Sequence, residues 1–572
     1  MGYKEKCLNY LGLVALCWWS SAVLAADMPS GTTESPATRN FIREDQQRLL
    51  EEQQQKLQEL ERLPGERMEL PSVPTSPEAQ CFPVDDIALE GVTLLDDKTW
   101  QQLVSPFIDR CLTVSDLNEL LRTITQAYID RGYITTRAYL PQQDLSRKTL
   151  RVAVIEGKVE AIESQGDSPT PRELSMASPA EAGDALNLRD LEQLIDQLNR
   201  LPSYQATMEL VPGNTPGGSR VQIANARQKP WRVTLGHNNG GSDGTGEQQQ
   251  SAGLEWDSPL GLADRFMAQL GHDASTEPGH GSGNGYLDYS LPYGYWSFSY
   301  SYTQSDYRSL AEASGFTFAL EGKSERHRLQ AERLLARDSV SKTSASVGIS
   351  RLSTRNYIDG ARIEVSSQRL SELDIGLNHG RRVGNAFFNI DAGWQKGLTV
   401  FGAQSDSEDM PGTPKAQYKK TTLTLSYLQP FSLFQQQLSF SSLINGQWST
   451  DVLYSPQRLS LGGQSSVRGF KEQSLSGDSG GYWRNQVTWQ RPLDVARPVF
   501  NNVEASLAYD VGVIHQGRYN PELSGRLSGY AVGFGLRGEH LAANISFAHS
   551  LERPDIFEKR ETPVYFSVEA FF

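Results

Sequence analysis

At 572 residues the chain has room for several domains, and a net charge of −14 argues against a general nucleic-acid binder. It is polar on average, with a mean hydropathy of −0.47, yet rich in strand formers and turn formers, with 10 Trp, 22 Tyr, 21 Phe and 50 Gly. Beyond the N-terminus no run of about 18 apolar residues occurs, which excludes helical membrane spans but not a β-barrel, whose strands are only half apolar.

Residues 1–25 read as a secretory signal. Lys4 and Lys6 precede the apolar run LGLVALCWWSSAVLA, and Val23 with Ala25, or Leu24 with Ala26, supplies a small-residue cleavage pattern. The run is short for a membrane anchor, the alternative reading. Cys7 and Cys17 would leave with this segment, so the mature chain keeps Cys81 and Cys111. In an oxidising compartment the two predict a disulfide. A metal pair is the rival, but no nearby histidine completes a zinc set.

Residues 41–62, FIREDQQRLLEEQQQKLQELER, predict a helix free of Gly and Pro and without a wide apolar stripe. Such a helix belongs in solvent, against a partner, or in an aqueous cavity. A Pro-containing linker, 63–80, follows. From 81 to 158 the order is strand, helix, helix, strand, strand. IALEG comes first, then a helix starting near Ser115 with Leu117, Leu120, Leu121, Ile124 and Tyr128 on one face and Gly132 at its end, then YITTRAYL and LRVAVIEG. From 159 to 226 the order repeats, with VEAIES, a helix after Asn187 presenting Leu191, Leu194, Ile195 and Leu198 and stopped by Pro202, then ATMELVP and SRVQIAN.

From 229 to 572 the pattern changes to about sixteen alternating segments of roughly ten residues, separated by Gly, Asn, Asp or Ser, as in membrane barrels. In TPVYFSVEAFF, Val564, Phe566, Val568, Ala570 and Phe572 share one face, while Tyr565, Ser567, Glu569 and Phe571 share the other. A soluble sandwich or propeller also alternates. The barrel is preferred because one face stays polar throughout and the last residue, Phe572, is aromatic, as in outer-membrane barrels.

Residues 454–481 form a long loop between LSFSSLINGQW and YWRNQVTWQ. It contains GDSGG, Gly477–Gly481, the string around the nucleophile of chymotrypsin-like proteases. None of the histidines before Ser479 (His237, His272, His280, His327, His379) sits in a catalytic setting, and turn chemistry favours such a string anyway. Gly322-Lys323-Ser324 is likewise no phosphate loop, because residue 317 is Thr and the context is a barrel strand. The chain is therefore read as non-enzymatic, with no cofactor. In the next strand, NVEASLAYDVGVI, parity turns Val503, Ala505, Leu507, Tyr509, Val511 and Val513 to lipid and Glu504, Ser506, Ala508, Asp510 and Gly512 to the lumen. An aspartate on the lumen wall beside a loop carrying Val467-Arg468-Gly469-Phe470 suggests an Arg468–Asp510 ion pair, with Gly469 allowing a tight turn. The alternative is two solvated channel charges.

CFPV at Cys81–Val84, RGYITTRAYLPQQDL at Arg131–Leu145, VRGF at Val467–Phe470 and AYDVG at Ala508–Gly512 resemble the two-partner secretion transporters (TpsB family), across essentially the whole mature chain. The resemblance implies a bacterial outer-membrane β-barrel of about sixteen strands with a plug helix at 41–62. It implies two periplasmic POTRA domains, at 81–158 and 159–226, and an inward loop at 454–481. It pairs Arg468 with Asp510; Phe470 stands where some members carry Tyr. Its implied partners are one large secreted exoprotein (adhesin, hemolysin or contact-dependent toxin), the barrel-assembly machinery that reads Phe572, and outer-membrane lipid. POTRA domains would capture the unfolded exoprotein by strand addition, and folding outside would give direction without nucleotide. A barrel-assembly factor and a passive porin are the competing readings.

Overall fold

In a computed structural model the chain is described over residues 36–64, 70–71, 81–166, 168–274, 279–313, 315–406, 412–493, 499–517, 524–557 and 559–572. The expected signal at 1–25 and most of the expected linker lie outside these residues.

The first element is helix α1, Pro36–Glu61. It begins five residues before the expected Phe41, and Arg62 lies beyond its end. At 26 residues it is about 39 Å long, enough to run the height of a membrane barrel.

The next unit carries β1 (Cys81–Val84), β2 (Asp86–Glu90), α2 (Asp97–Val104), β3 (Arg110–Thr113), α3 (Val114–Asp130), β4 (Arg137–Tyr139) and β5 (Thr149–Ile155). β5 sits between β2, parallel, and β4, antiparallel, and both helices cover one face around Leu112, Leu120, Ile124, Tyr128, Leu150 and Val152. Three details differ from the sequence reading. The N-cap of α3 is Thr113, not Ser115, because Thr113 and Asp116 close a capping box in which each side chain takes the other's main-chain N–H. The strand expected over YITTRAYL is confined to Arg137–Tyr139. A separate ribbon, β1 with β3, joins Cys81 and Cys111 in a disulfide with Cα atoms 5.3 Å apart.

The second unit follows with β6 (Lys158–Ser164), α4 (Pro171–Ala177), α5 (Leu188–Asn199), β7 (Ala206–Pro212) and β8 (Gly218–Asn225), in sheet order β6-β8-β7. Asn187 caps α5 through its side chain, and Leu191, Leu194 and Leu198 are buried.

From Trp231 onward the described residues form one closed antiparallel barrel of sixteen staves, Ala361–Arg362 adding only a two-residue spur. Strand Val564–Phe571 closes on strand Trp231–Asn238. Alternation runs as parity requires: Leu507 and Tyr509 are exposed to the outside while Ala508 and Asp510 are buried. No helix among the described residues is long and apolar enough to cross a membrane. The POTRA side of the barrel is set by the chain entering at Trp231 directly from β8, which puts the turns at Ser258 and Gly294 beside the second unit.

Candidate functional site

The loop after strand Gln436–Ser449 folds back into the lumen and builds a small core there. A short hairpin, Leu459–Leu461 with Leu475–Gly477, forms its stem. Leu461, Val467 and Phe470 are fully buried with Leu475, Tyr482, Ile514, Leu527 and Phe557. Gly462 (φ 118°) and Gly463 (φ 89°) make the turn.

At the tip, Arg468 donates through Nε to Asp510 Oδ2 at 2.7 Å and through Nη2 to Oδ1 at 2.7 Å, the fork-on-carboxylate arrangement. Its main-chain N–H adds a third bond to the same carboxylate at 3.1 Å, and its Nη1 reaches Gln486 Oε1 at 2.6 Å. Asp510 is wholly buried and Arg468 is 7 % exposed. Taking two charges out of water is costly unless their hydrogen-bonding groups are met, and here each guanidinium nitrogen donates once and the carboxylate accepts three bonds. Sequence parity missed Arg484, which approaches Asp510 to 4.0 Å from the neighbouring stave and donates to Ser465 O at 3.0 Å. Its lumen-facing position was readable from alternation, but its aim at Asp510 comes from the pairing register Arg484↔Asp510.

Gly469 sits in a tight turn, in which Phe470 N donates to Val467 O at 3.3 Å. It is not among the residues at positive φ. A Cβ there would stand 2.7 Å from His549 O, against the barrel wall, so within that turn close approach rather than φ demands glycine. Gly512 works the same way, since a Cβ would press within 2.9 Å of Leu461.

The GDSGG string has structural uses throughout. Ser479 Oγ donates to Ser449 O at 3.0 Å and accepts from Ser449 N at 2.9 Å. Asp478 accepts from Leu453 N at 3.0 Å and Arg458 Nε at 3.2 Å. A Cβ on Gly477 would overlap Ile514. Lys323, in the GKS triplet, pairs along its strand with Glu325 at 2.8 Å. Among the described residues no cluster of potential metal ligands exists.

Helix α1 fills the lumen beside the loop and is held mostly through long polar side chains. Gln46 donates to Ser460 O of the loop at 2.6 Å. Asp45 pairs with Arg326 at 2.5 Å, and Lys56 and Gln53 both reach Asp391 at 2.7 Å. Gln53 Oε1 also accepts from Asn389 and Ser426. The sequence reading saw no apolar stripe. The structure instead puts apolar contacts at the two ends: Phe41 against Leu352, Leu370 and Ala416, and Leu57 and Leu60 with Leu63 and Phe387. Two end anchors are invisible to a periodicity test because they do not repeat.

On the periplasmic side the second unit is joined to the barrel turns. Glu173 of α4, 1 % exposed, accepts from Tyr204 Oη at 2.6 Å, from Thr170 N at 2.7 Å and from Ser258 Oγ. Burial opposes its charge, but these donors outweigh burial and hold the carboxyl below its usual range. Asp257, wholly buried, takes Arg232 in a fork and Ser203 N at 2.8 Å. Asp196 of α5 meets Arg337 at 2.8 Å and Lys342 at 2.6 Å. Phe572 pairs its main chain with Val233 in both directions.

A closed sixteen-stave barrel with its lumen occupied by an N-terminal helix and an inward loop, preceded by two β-α-α-β-β units, defines an outer-membrane transporter with periplasmic POTRA domains. Family matches agree: residues 82–157 match the ShlB-type POTRA domain, 158–212 a POTRA domain, and 217–536 the haemolysin secretion/activation protein ShlB/FhaC/HecB. The outer membrane transporter CdiB of Escherichia coli O6:K15:H31 is 34 % identical over 94 % of this chain and 91 % of its own length. The CdiB of Dickeya dadantii is 32 % identical over 91 % and 92 %, and the hemolysin transporter protein HpmB of Proteus mirabilis 28 % over 93 % and 93 %. The solved structure of CdiB from Escherichia coli superposes with a TM-score of 0.89 at 33 % identity, covering 95 % of this chain and all of that one. The chain belongs to the ShlB/FhaC/HecB family of haemolysin secretion/activation proteins, the outer-membrane transporters of two-partner secretion.

Proposed function

We propose that this transporter serves one dedicated, very large exoprotein of adhesin, hemolysin or contact-dependent toxin type. Its POTRA domains capture the exoprotein unfolded in the periplasm, and the barrel passes it outward without nucleotide. The carrying observation is the lumen itself, in which α1 and the loop occupy the passage through contacts that can be exchanged. The Arg468–Asp510 pair is the lock that holds the loop in place, and α1 is the resting plug. Capture by strand addition suits the free edges of the POTRA sheets, since main-chain hydrogen bonds are nearly independent of sequence. Gradual release of folding free energy outside the cell supplies direction.

The test compares culture medium from cells with and without the gene, by gel and mass spectrometry. Loss of one very large protein, with other outer-membrane barrels unchanged, is the expected result. An unaltered medium together with depleted outer-membrane barrels would point to an assembly factor instead, and an unaltered medium with unaltered barrels to a porin. The plug assignment is tested by deleting residues 41–62, which should raise conductance in planar bilayers; unchanged conductance overturns it.

A further inference from the structure

Just beyond the VRGF tip, the loop makes a second attachment that the Arg468–Asp510 pair does not involve. Three successive main-chain N–H groups converge on one carboxylate: Lys471 N and Glu472 N donate to Glu561 Oε2 at 2.6 and 3.0 Å, and Gln473 N to Oε1 at 2.8 Å. Consecutive N–H groups turned to one point form a concave anion site, and the anion here is supplied by the protein's own last extracellular segment. Glu561 is itself held in place. Its N–H donates to Ser550 Oγ at 2.9 Å, and its carbonyl accepts from Ser550 N at 3.0 Å, with Ser550 fully buried.

Neighbouring contacts point the same way. Tyr565, 3 % exposed, donates its hydroxyl toward Arg468 O at 3.2 Å and Phe470 O at 3.3 Å. Phe557, from the same last segment, packs on Phe470 with ring centroids 6.0 Å apart. Gln473 Nε2 donates to Lys559 O at 3.0 Å. On the opposite flank Lys471 pairs with Glu247 of the first hairpin.

We infer that Glu561 is a positioning residue for the inward loop: its carboxylate organises the main chain of residues 471–473 and thereby sets where Arg468 stands relative to Asp510. The inference rests on the lock reading above and extends it to the last extracellular segment. Because the cradle is built of main-chain donors, it tolerates change in the side chains at 471–473 but not loss of the carboxylate. A neutral amide at 561 offers one acceptor oxygen where the cradle uses two.

The test uses the full-length protein in intact cells, with Ser474→Cys as reporter of loop position and a membrane-impermeant maleimide as probe; Cys81 and Cys111 are joined as a disulfide. Glu561→Ala should speed labelling about tenfold or more, as loss of charge-assisted bonds predicts. Glu561→Gln should fall between it and the parent, with barrel abundance and heat-modifiable migration retained. A parental rate in Glu561→Ala overturns the inference. If that variant fails to reach the membrane, Glu561→Asp, which keeps the charge but shortens the reach, must still label faster than the parent, and a parental rate there overturns it equally. Arg468→Ala, measured alongside, separates the two readings. Fast labelling in Arg468→Ala with a parental rate in Glu561→Ala leaves the lock and removes the inference. The reverse leaves the Glu561 contact and removes the lock.

Discussion

The outer and periplasmic ends of the barrel hold their attachments in opposite ways. At the outer end the loop is held over a short run of successive residues, 468–473: Asp510 receives a fork and a main-chain N–H from Arg468 within a small apolar core, and Glu561 receives the N–H groups of residues 471–473. At the periplasmic end the second POTRA unit is held by bonds spread over several turns: Glu173 with Ser258, Asp257 with Ser203, Gln197 with Gly294 O at 3.1 Å, and Asp196 with Arg337 and Lys342. An attachment made by one short run of chain can give way as a unit, which suits the loop's proposed role in the passage. A distributed one survives single losses, which suits a domain that must stay aligned with the entrance.

The comparison breaks most directly at the lock. Arg468→Ala leaves Asp510 buried without its main partner, a loss of about 3–5 kcal/mol for a buried pair. Secretion should collapse while the barrel stays in the membrane, read by exoprotein in the medium against heat-modifiable migration. Normal secretion would remove the lock. Next in size, Cys81→Ser opens the 30-residue separation closed by the disulfide and should lower the stability of the first POTRA unit by about 3–4 kcal/mol in the chain-entropy model. Protease sensitivity confined to that unit is the expected readout.

A smaller effect is expected at the joint. Glu173→Gln removes a buried hydrogen-bonded charge worth about 1–3 kcal/mol, and the remaining contacts should keep the unit docked, so crosslinking between α5 and the Gly294 turn persists. The pH dependence follows from the depressed carboxyl of Glu173. A group held below its ordinary value stabilises the folded form above that value, about 4.5 for glutamate, and the stability is lost as pH falls through the lower folded value. The joint should therefore be insensitive from neutrality down to about pH 4.5 and loosen only below it; loosening near pH 6 would assign it to another group. Smallest is Lys56→Ala in α1, a partly exposed pair with Asp391 worth about 1 kcal/mol or less. It should raise bilayer conductance only slightly, and a large rise would show that the helix is held at a single point.

Much of this architecture is legible in the sequence. Alternation placed Asp510 and Gly512 on the lumen side because strand parity is local, and the apolar faces of α3 and α5 follow from helical spacing. The N-cap of α3 slipped by two residues because Thr113 and Ser115 are both capping residues and only the reciprocal bond with Asp116 chooses between them. The tight turn at Gly469 is readable from the sequence, but the demand for glycine there comes from the nearness of His549 O, a contact across 80 residues of chain. Alternation places Arg484 on the lumen side but not its aim at Asp510, and Glu561 carries no local signal, since each acts on a group that folding brings from elsewhere.

By itself the sequence determined the elements: which residues alternate, which spiral, and which carry charge to an aqueous face. These follow from periods of two and 3.6 and from the chemistry of single side chains. Only the tertiary structure decided that α1 is anchored at its two ends, that Arg484 also turns to Asp510, and that Glu561 meets the main chain of residues 471–473. Those outcomes depend on the closure of sixteen staves and their register, and register is a property of strand pairs rather than of any one segment.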